Sequence, residues 1–251
     1  MIDEFVLLTP VLLLAVVALL GFAGCKFSAP VSPGGVSHVQ TTINANVPGT
    51  SVIASDPLSL QGGELIVATV QWGSAVVQPP PPILSGGLAF SPVVGGGPFT
   101  WNGMKIQSFL ANNPAGSTEL TVQVEVPGGS NVRWHLCVTA YSNVDSVNPI
   151  FSPQQNGSTF VGTNPQLPPI SVTIGDLIYA VALAADSNGA FPGNNSIAAG
   201  PDFTAEFTGI TNPLVEDGGI GNPVIAQATI TSQDANPRAF LFGLGIKAAF
   251  V

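Results

Sequence analysis

Charge is scarce in this chain. Of its 251 residues 8% are charged, with five Lys or Arg against fourteen Asp or Glu and a formal net charge of −9. A typical soluble domain is about a quarter charged. The basic residues Lys26, Lys105, Arg133, Arg238 and Lys247 are scattered. Nucleic acid is therefore not an expected partner, because phosphate contacts need clustered basic side chains. Cysteine occurs only at Cys25 and Cys137, which excludes a disulfide framework and any metal-binding cysteine spacing. Cys137 lies inside a strand-like run and reads as a small buried hydrophobe. Histidine occurs only at His38 and His135, and no Gly-x-Ser-x-Gly segment is present. A serine nucleophile needs a base within hydrogen-bond reach. His135, mid-strand beside Arg133, reads as a structural or surface residue, and no catalytic residues are assigned.

What the chain has in quantity is glycine and proline, 29 and 23 residues, in a sequence that is 45% hydrophobic. Helix interiors do not tolerate that density of breakers, and the apolar content argues against disorder. An all-β fold with many turns remains. Leu120 to Val126 alternates apolar and polar residues with a period of two, which predicts one buried and one wet face. Val132 to Tyr141 follows as its expected hairpin partner, with Trp134, Leu136, Val138 and Ala140 on one face. Gly62 to Trp72 and Ile174 to Ala184 share a pattern of glycine, an acid, Leu-Ile and an apolar run. They read as equivalent strands in two halves of one sandwich, or as the starts of two small domains; one domain is preferred. Pro79 to Pro82 predicts an exposed loop. Asn-Pro recurs six times, starting at Asn113, Asn148, Asn164, Asn212, Asn222 and Asn236, and marks turns. Ala239 to Val251 reads as a buried closing strand kinked at its glycines. Regular strands with this punctuation predict a jelly-roll-like antiparallel β-sandwich.

Three segments carry a resemblance: Gly62 to Ala68, the Phe-Thr-Trp-Asn-Gly turn at Phe99 to Gly103, and Ala-Tyr-Ser-Asn-Val-Asp-Ser-Val-Asn-Pro-Ile at Ala140 to Ile150. Their order resembles that of a broad group of uncharacterised bacterial surface proteins and phage structural proteins with β-sandwich folds. The likeness covers roughly residues 36–251 and implies a structural role. It carries over no catalytic residues.

The N-terminus is a separate object. Phe5 to Gly24 contains no charged residue. At about 1.5 Å per residue it would span roughly 30 Å as a helix, the thickness of a bilayer core. Phe5, Leu12, Val16, Leu20 and Phe22 are its anchor side chains. A secretory signal should begin with basic residues, whereas this segment begins Met-Ile-Asp-Glu. Phe22 to Cys25 resembles a bacterial lipobox with Phe where Leu is usual, so Cys25 is the candidate for lipidation. The retained helix is preferred. The expected organisation is an anchor helix at 1–25, a Pro/Gly/Ser linker at 26–35 and a β-sandwich at 36–251.

Other candidates are weaker. Asp186 and Asn188 offer oxygen ligands for calcium in a tight loop, though an Asx turn explains them as well. No other cofactor is expected. Asp202 with Glu206, four apart on one strand face, and Glu216 with Asp217, in a turn, are carboxylate pairs of the kind that glycosidases use. Trp72, Trp101 and Trp134 could form a glycan platform, against the reading that they are core residues. The expectation is a non-enzymatic structural protein of a virion or cell surface. It is membrane-anchored, and its partners are lipid or neighbouring copies in a homo- or hetero-oligomeric assembly. A lipoprotein or adhesin-type glycan-binding module is the alternative.

Overall fold

The computed structural model describes residues 35–45, 52–73, 83–85, 88–93, 99–101, 104–113, 119–125, 134–152, 160–185, 196–200, 203–208, 214–218, 225, 228–231 and 237–249. The expected anchor helix and all of the linker but Gly35 lie outside them. Strands are the only regular elements among the described residues, and no helix among them is long and apolar enough to cross a membrane. In the first half these are β1 (Ser37–Ala45), β2 (Val52–Ala54), β3 (Leu58–Ser59), β4 (Leu65–Gly73), β5 (Ile83–Ser85), β6 (Ser91–Pro92), β7 (Phe99–Trp101), β8 (Met104–Asn112), β9 (Glu119–Glu125) and β10 (Trp134–Ser142). The second half holds β11 (Ile150–Ser152), β12 (Phe160–Val161), β13 (Leu177–Ala185), β14 (Ser196–Ala199), β15 (Phe203–Thr208), β16 (Leu214–Gly218), β17 (Ala228–Thr231) and β18 (Arg238–Ile246).

Pairing is antiparallel throughout. One large sheet has the order β1-β10-β4-β8-β6, with β7 also on β8. A second has the order β11-β18-β13-β16-β15, with β12 on β18. Two small sheets flank them, β9 with β2, β3 and β5, and β17 with β14. The segment 163–165 joins the last, since Ala228 N–H donates to Pro165 (3.1 Å) and Ile230 N–H to Thr163 (2.7 Å). The same nesting therefore occurs twice. In each half the first strand pairs with the last, and a short early segment pairs with the penultimate strand. The Gly-acid-Leu-Ile strand pairs with a later one. The two strands that share this pattern, β4 and β13, are the central strands of the two large sheets. They are equivalent members of two halves, within one compact unit at residues 34–251.

Period-two alternation explains the layers. Ile66, Ala68, Val70 and Trp72 of β4 pack with Trp134, Leu136, Val138 and Ala140 of β10 against Leu120, Val122 and Val124 of β9. The opposite face, with Leu65, Val67, Cys137 and Tyr141, packs on Tyr179, Val181, Phe242 and Leu244 of the second large sheet. The outer face of that sheet, with Ile178, Ala180 and Leu241, packs on Ile197, Ala228 and Ile230. Both large sheets are thus covered on both faces, and Trp134 to Tyr141 is buried without a break. Each large apolar side chain buried this way contributes roughly 1.5–3 kcal/mol.

Three expectations need correction. β9 alternates as expected, with Leu120, Val122 and Val124 buried, but β10 is not its hairpin partner. β9 pairs with β2, β3 and β5, and β10 pairs with β1 and β4. Both bury their apolar faces in one core from opposite sides. Glu216, Asp217 and Gly218 do not form a turn. They lie in β16, where β13 on one side and β15 on the other take up the backbone groups. The glycines of β18 do not kink it against β13, where the register runs unbroken from Leu177↔Ile246 to Ala185↔Arg238. Gly243 instead lets Leu167 pack close: a Cβ there would lie 2.7 Å from Leu167 Cδ1, so that side chain would have to shift.

The connection between the halves is clipped to the end of the fold. Asn143 adopts a left-handed conformation (φ 58°), which asparagine tolerates better than most residues. Val144 then bridges to Ala248. Asp145 N–H donates to Lys247 (2.9 Å), Lys247 N–H to Pro149 (2.8 Å) and Ala249 N–H to Asn143 (2.9 Å). The Asp145 carboxylate accepts from the N–H groups of Val147 (2.9 Å) and Asn148 (3.0 Å) and pairs with Lys247 Nζ at 3.0 Å. The Asn148 N–H, the Lys247 ammonium and the Val147 N–H hold its carboxyl down at about 2.

An unfolded aspartate titrates near about 4, so this stabilisation is complete above that pH and is lost as the pH falls towards 2. Asp145→Asn should therefore lower the urea midpoint at pH 7. The gap from the parent chain should close between pH 4 and pH 2. A gap that stays constant over that range would show that the clip is not charge-dependent.

Candidate functional site

The interior between the two large sheets is more polar than a sandwich core requires. Alternation puts Thr69 and Gln71 of β4, His135, Cys137 and Thr139 of β10, and Ser108 of β8 on the inner face. All six are buried. Register aligns Cys137 with Thr69 and Thr69 with Ser108, in one row across three strands. Thr69 Oγ1 is hydrogen-bonded to Ser108 Oγ at 2.7 Å and to Tyr179 Oη, from the opposite sheet, at 2.9 Å. Tyr179 Oη also makes a long contact to Cys137 Sγ, 3.9 Å, and Cys137 Sγ another to Thr139 Oγ1, 3.9 Å. Thr41 donates to Thr139 at 3.0 Å and is bonded to His38 Nε2 at 2.9 Å. The Tyr141 ring meets Tyr179 and His38 edge-on, at centroid separations of 6.2 and 5.9 Å.

The chemistry of this row follows from its burial. Burial pushes the Cys137 thiol up to about 12, with the Thr139 and Tyr179 contacts opposing the shift only in part. Burial likewise raises the Tyr179 phenol well above its usual value, and the neighbouring sulfur adds to this. Both groups stay protonated at neutral pH. Cysteine reactivity needs the thiolate, so Cys137 acts here as a hydrogen-bond partner. The row joins sheets: Tyr179 reaches across from the second half to Thr69 and, at longer range, to Cys137.

The acid of the repeated pattern has a parallel role in each half. Glu64, 3% exposed, accepts from the N–H groups of Gln61 (2.7 Å) and Gly62 (2.9 Å) and from Asn113 Nδ2 (2.8 Å). Burial works against its charge, but the Asn113 amide and those N–H groups outweigh it and hold its carboxyl below the usual range. Asp176 accepts from the N–H groups of Thr173 and Ala248, both at 2.9 Å. Gly63 and Gly175 take positive φ (87° and 96°) just before the acids, a conformation that favours glycine. The shared pattern is thus a capped turn feeding a central strand.

Trp72 and Trp134 stack at 5.6 Å with an interplanar angle of 17°, and both are 0% exposed, in the core under β9. Neither presents a ring face to a sugar. Trp101 lies in β7 opposite Met104, and its side chain is outside the described part. His135 is buried at mid-strand opposite Gln71. Asp202, Asp186, Asn188, Cys25 and the anchor residues Phe5, Leu12, Val16, Leu20 and Phe22 lie outside the described residues. Glu206 sits where the β15 register shifts between Ala205 and Phe207. Among the described residues no three His, Cys, Asp or Glu side chains group as metal ligands. A cavity of about 330 Å³ opens beside β6, lined by Val93, Leu110, Val147, Pro149 and Ile150 among others.

Removing one partner of a buried hydrogen bond costs about 1–3 kcal/mol, while replacing both is far milder. Tyr179→Phe and Thr69→Val should each destabilise the chain by that amount in urea titrations. The double variant should lose clearly less than the sum. Strict additivity would mean that the bond does not couple the sheets.

No protein-family model, no curated protein and no solved structure matches the chain.

Proposed function

We propose that this chain is a non-enzymatic structural protein, an anchored β-sandwich block of an ordered assembly: a virion shell, a virion membrane or a surface filament. The observation that carries this reading is the doubled fold with one shared core. Two halves of like strand order are fixed face to face by Leu65, Val67, Tyr141, Tyr179, Phe242 and Leu244. A block of this kind presents its outer faces at a fixed angle, which a repeating lattice demands of its subunit. The nested pairing of first strand with last and of early segment with penultimate strand favours a finer description. It is the order of a long hairpin rolled into a jelly roll, present once in each half. On this reading Phe5 to Gly24 is the anchor, with Phe5, Leu12, Val16, Leu20 and Phe22 against lipid or neighbouring copies, and the protein sits at a virion or cell surface. Thr69, Ser108, Tyr179, Thr41 and Thr139 of the interior are engaged in holding strands and sheets together, which supports a structural role.

The full chain, purified in detergent and then freed of it, should form particles or sheets with a regular repeat in electron micrographs. Sedimentation should find little monomer. A chain that stays monomeric at every concentration, with and without lipid, would overturn the proposal.

A further inference from the structure

Two aliphatic side chains stand out from an otherwise well-covered surface. Ile174 is 90% exposed and Val147 80%, whereas the next most exposed large hydrophobic side chain among the described residues, Val52, is 46% exposed. Both occupy tightly bonded turns. Asp176 N–H donates to Thr173 (3.0 Å) and the Asp176 carboxylate accepts from Thr173 N–H, which fixes the turn that carries Ile174. The Asp145 carboxylate accepts from Val147 and Asn148 in the same way.

The two turns are neighbours. Asp145 pairs with Lys247, and Asp176 accepts from Ala248, the next residue. The first described residues join the same cluster. Val36 N–H donates to Gly175 (2.8 Å), and Asn143 Nδ2 donates to Gly35 (3.3 Å). Gly35, the first described residue, which follows the uncharged run Phe5 to Gly24 in sequence, therefore lies at the end where Ile174 and Val147 project. Two acidic side chains of this cluster are engaged. Asp176 is bonded to backbone N–H groups, and Asp145 to backbone N–H groups and a lysine.

We infer that this end of the domain rests on a lipid bilayer, with Ile174 and Val147 set into its interfacial zone. The inference builds on the anchored reading above and adds the face and orientation of the domain. Rigid turns carry aliphatic tips into an apolar boundary without further ordering cost. The Asp145 carboxylate beside Val147 is paired with Lys247, and the Asp176 carboxylate beside Ile174 accepts from two backbone N–H groups, which lowers the cost of bringing these two groups near the headgroups. Both features suit the interface better than open water.

The test uses the full chain with Cys25→Ser, reconstituted into phosphatidylcholine vesicles. Single cysteines are introduced as Ile174→Cys, Val147→Cys or Val52→Cys and labelled with an environment-sensitive dye; Cys137, buried and protonated, stays unlabelled. Val52 serves as the distant control, because Asn44 at the far end of β1 bonds to Ala54 of the same short strand. Dyes at 174 and 147 should be quenched several times more strongly by lipids brominated near the headgroup than the dye at 52. Flotation with the vesicles but equal, weak quenching at all three sites would overturn the inference and leave the anchor standing. Failure to float would overturn the anchored reading and the inference with it.

Discussion

The fold depends on the seating of one large sheet on another across a single core. Each half packs one face of its large sheet on its own small sheet and seats the other face on the large sheet of the other half. β4 and β13 are the central strands of those sheets, and Thr69 meets Tyr179 there through a hydrogen bond of 2.9 Å. Around it lie aliphatic and aromatic side chains from both halves. Everything else is arranged to keep that contact flat and dry. The small outer sheets cover the remaining faces, and the acid-capped turns set where each central strand begins. The clip between Asp145 and Lys247 pins the connection between the halves to the last strand.

Polar groups in such an interior carry a cost unless each finds a partner. The row from Ser108 through Thr69 to Tyr179, and that from Thr139 through Thr41 to His38, meet this condition with side chains of the core itself. Most of these bonds tie neighbouring strands of one sheet, while Thr69–Tyr179 adds a directional contact between two sheets otherwise joined by aliphatic and aromatic packing. This assigns Cys137 and Tyr179 a structural task, with both held protonated by burial.

Much of this was legible in the residues. Period-two alternation gave β9 with its buried Leu120, Val122 and Val124, and the repeated Gly-acid-Leu-Ile pattern located both central strands. The glycine and proline content gave the all-β class. What alternation cannot supply is the identity of the neighbour. β9 and β10 are consecutive, apolar and separated by Pro127-Gly128-Gly129, yet they lie in different sheets because the core between them needs both. Glu216-Asp217-Gly218 carries turn-forming residues but is strand, since partners on both sides take up its backbone groups. Trp72 and Trp134 could have been surface or core by sequence; only the presence of β9 above them decides it. The polar row was invisible for the same reason, as its members come from β1, β4, β8, β10 and β13. Its one sequence signal was a set of Thr, Ser, Cys and Tyr residues inside otherwise apolar strands.

Sharing one core should make the two halves behave as one body. Hydrogen exchange read by mass spectrometry across a urea series tests it most directly, comparing peptides from β4 with peptides from β13. A shared core predicts that both lose protection at the same urea concentration and with the same slope, as one cooperative unit. Loss of protection in β13 while β4 remains protected, or the reverse, would show two independent sandwiches and contradict the account.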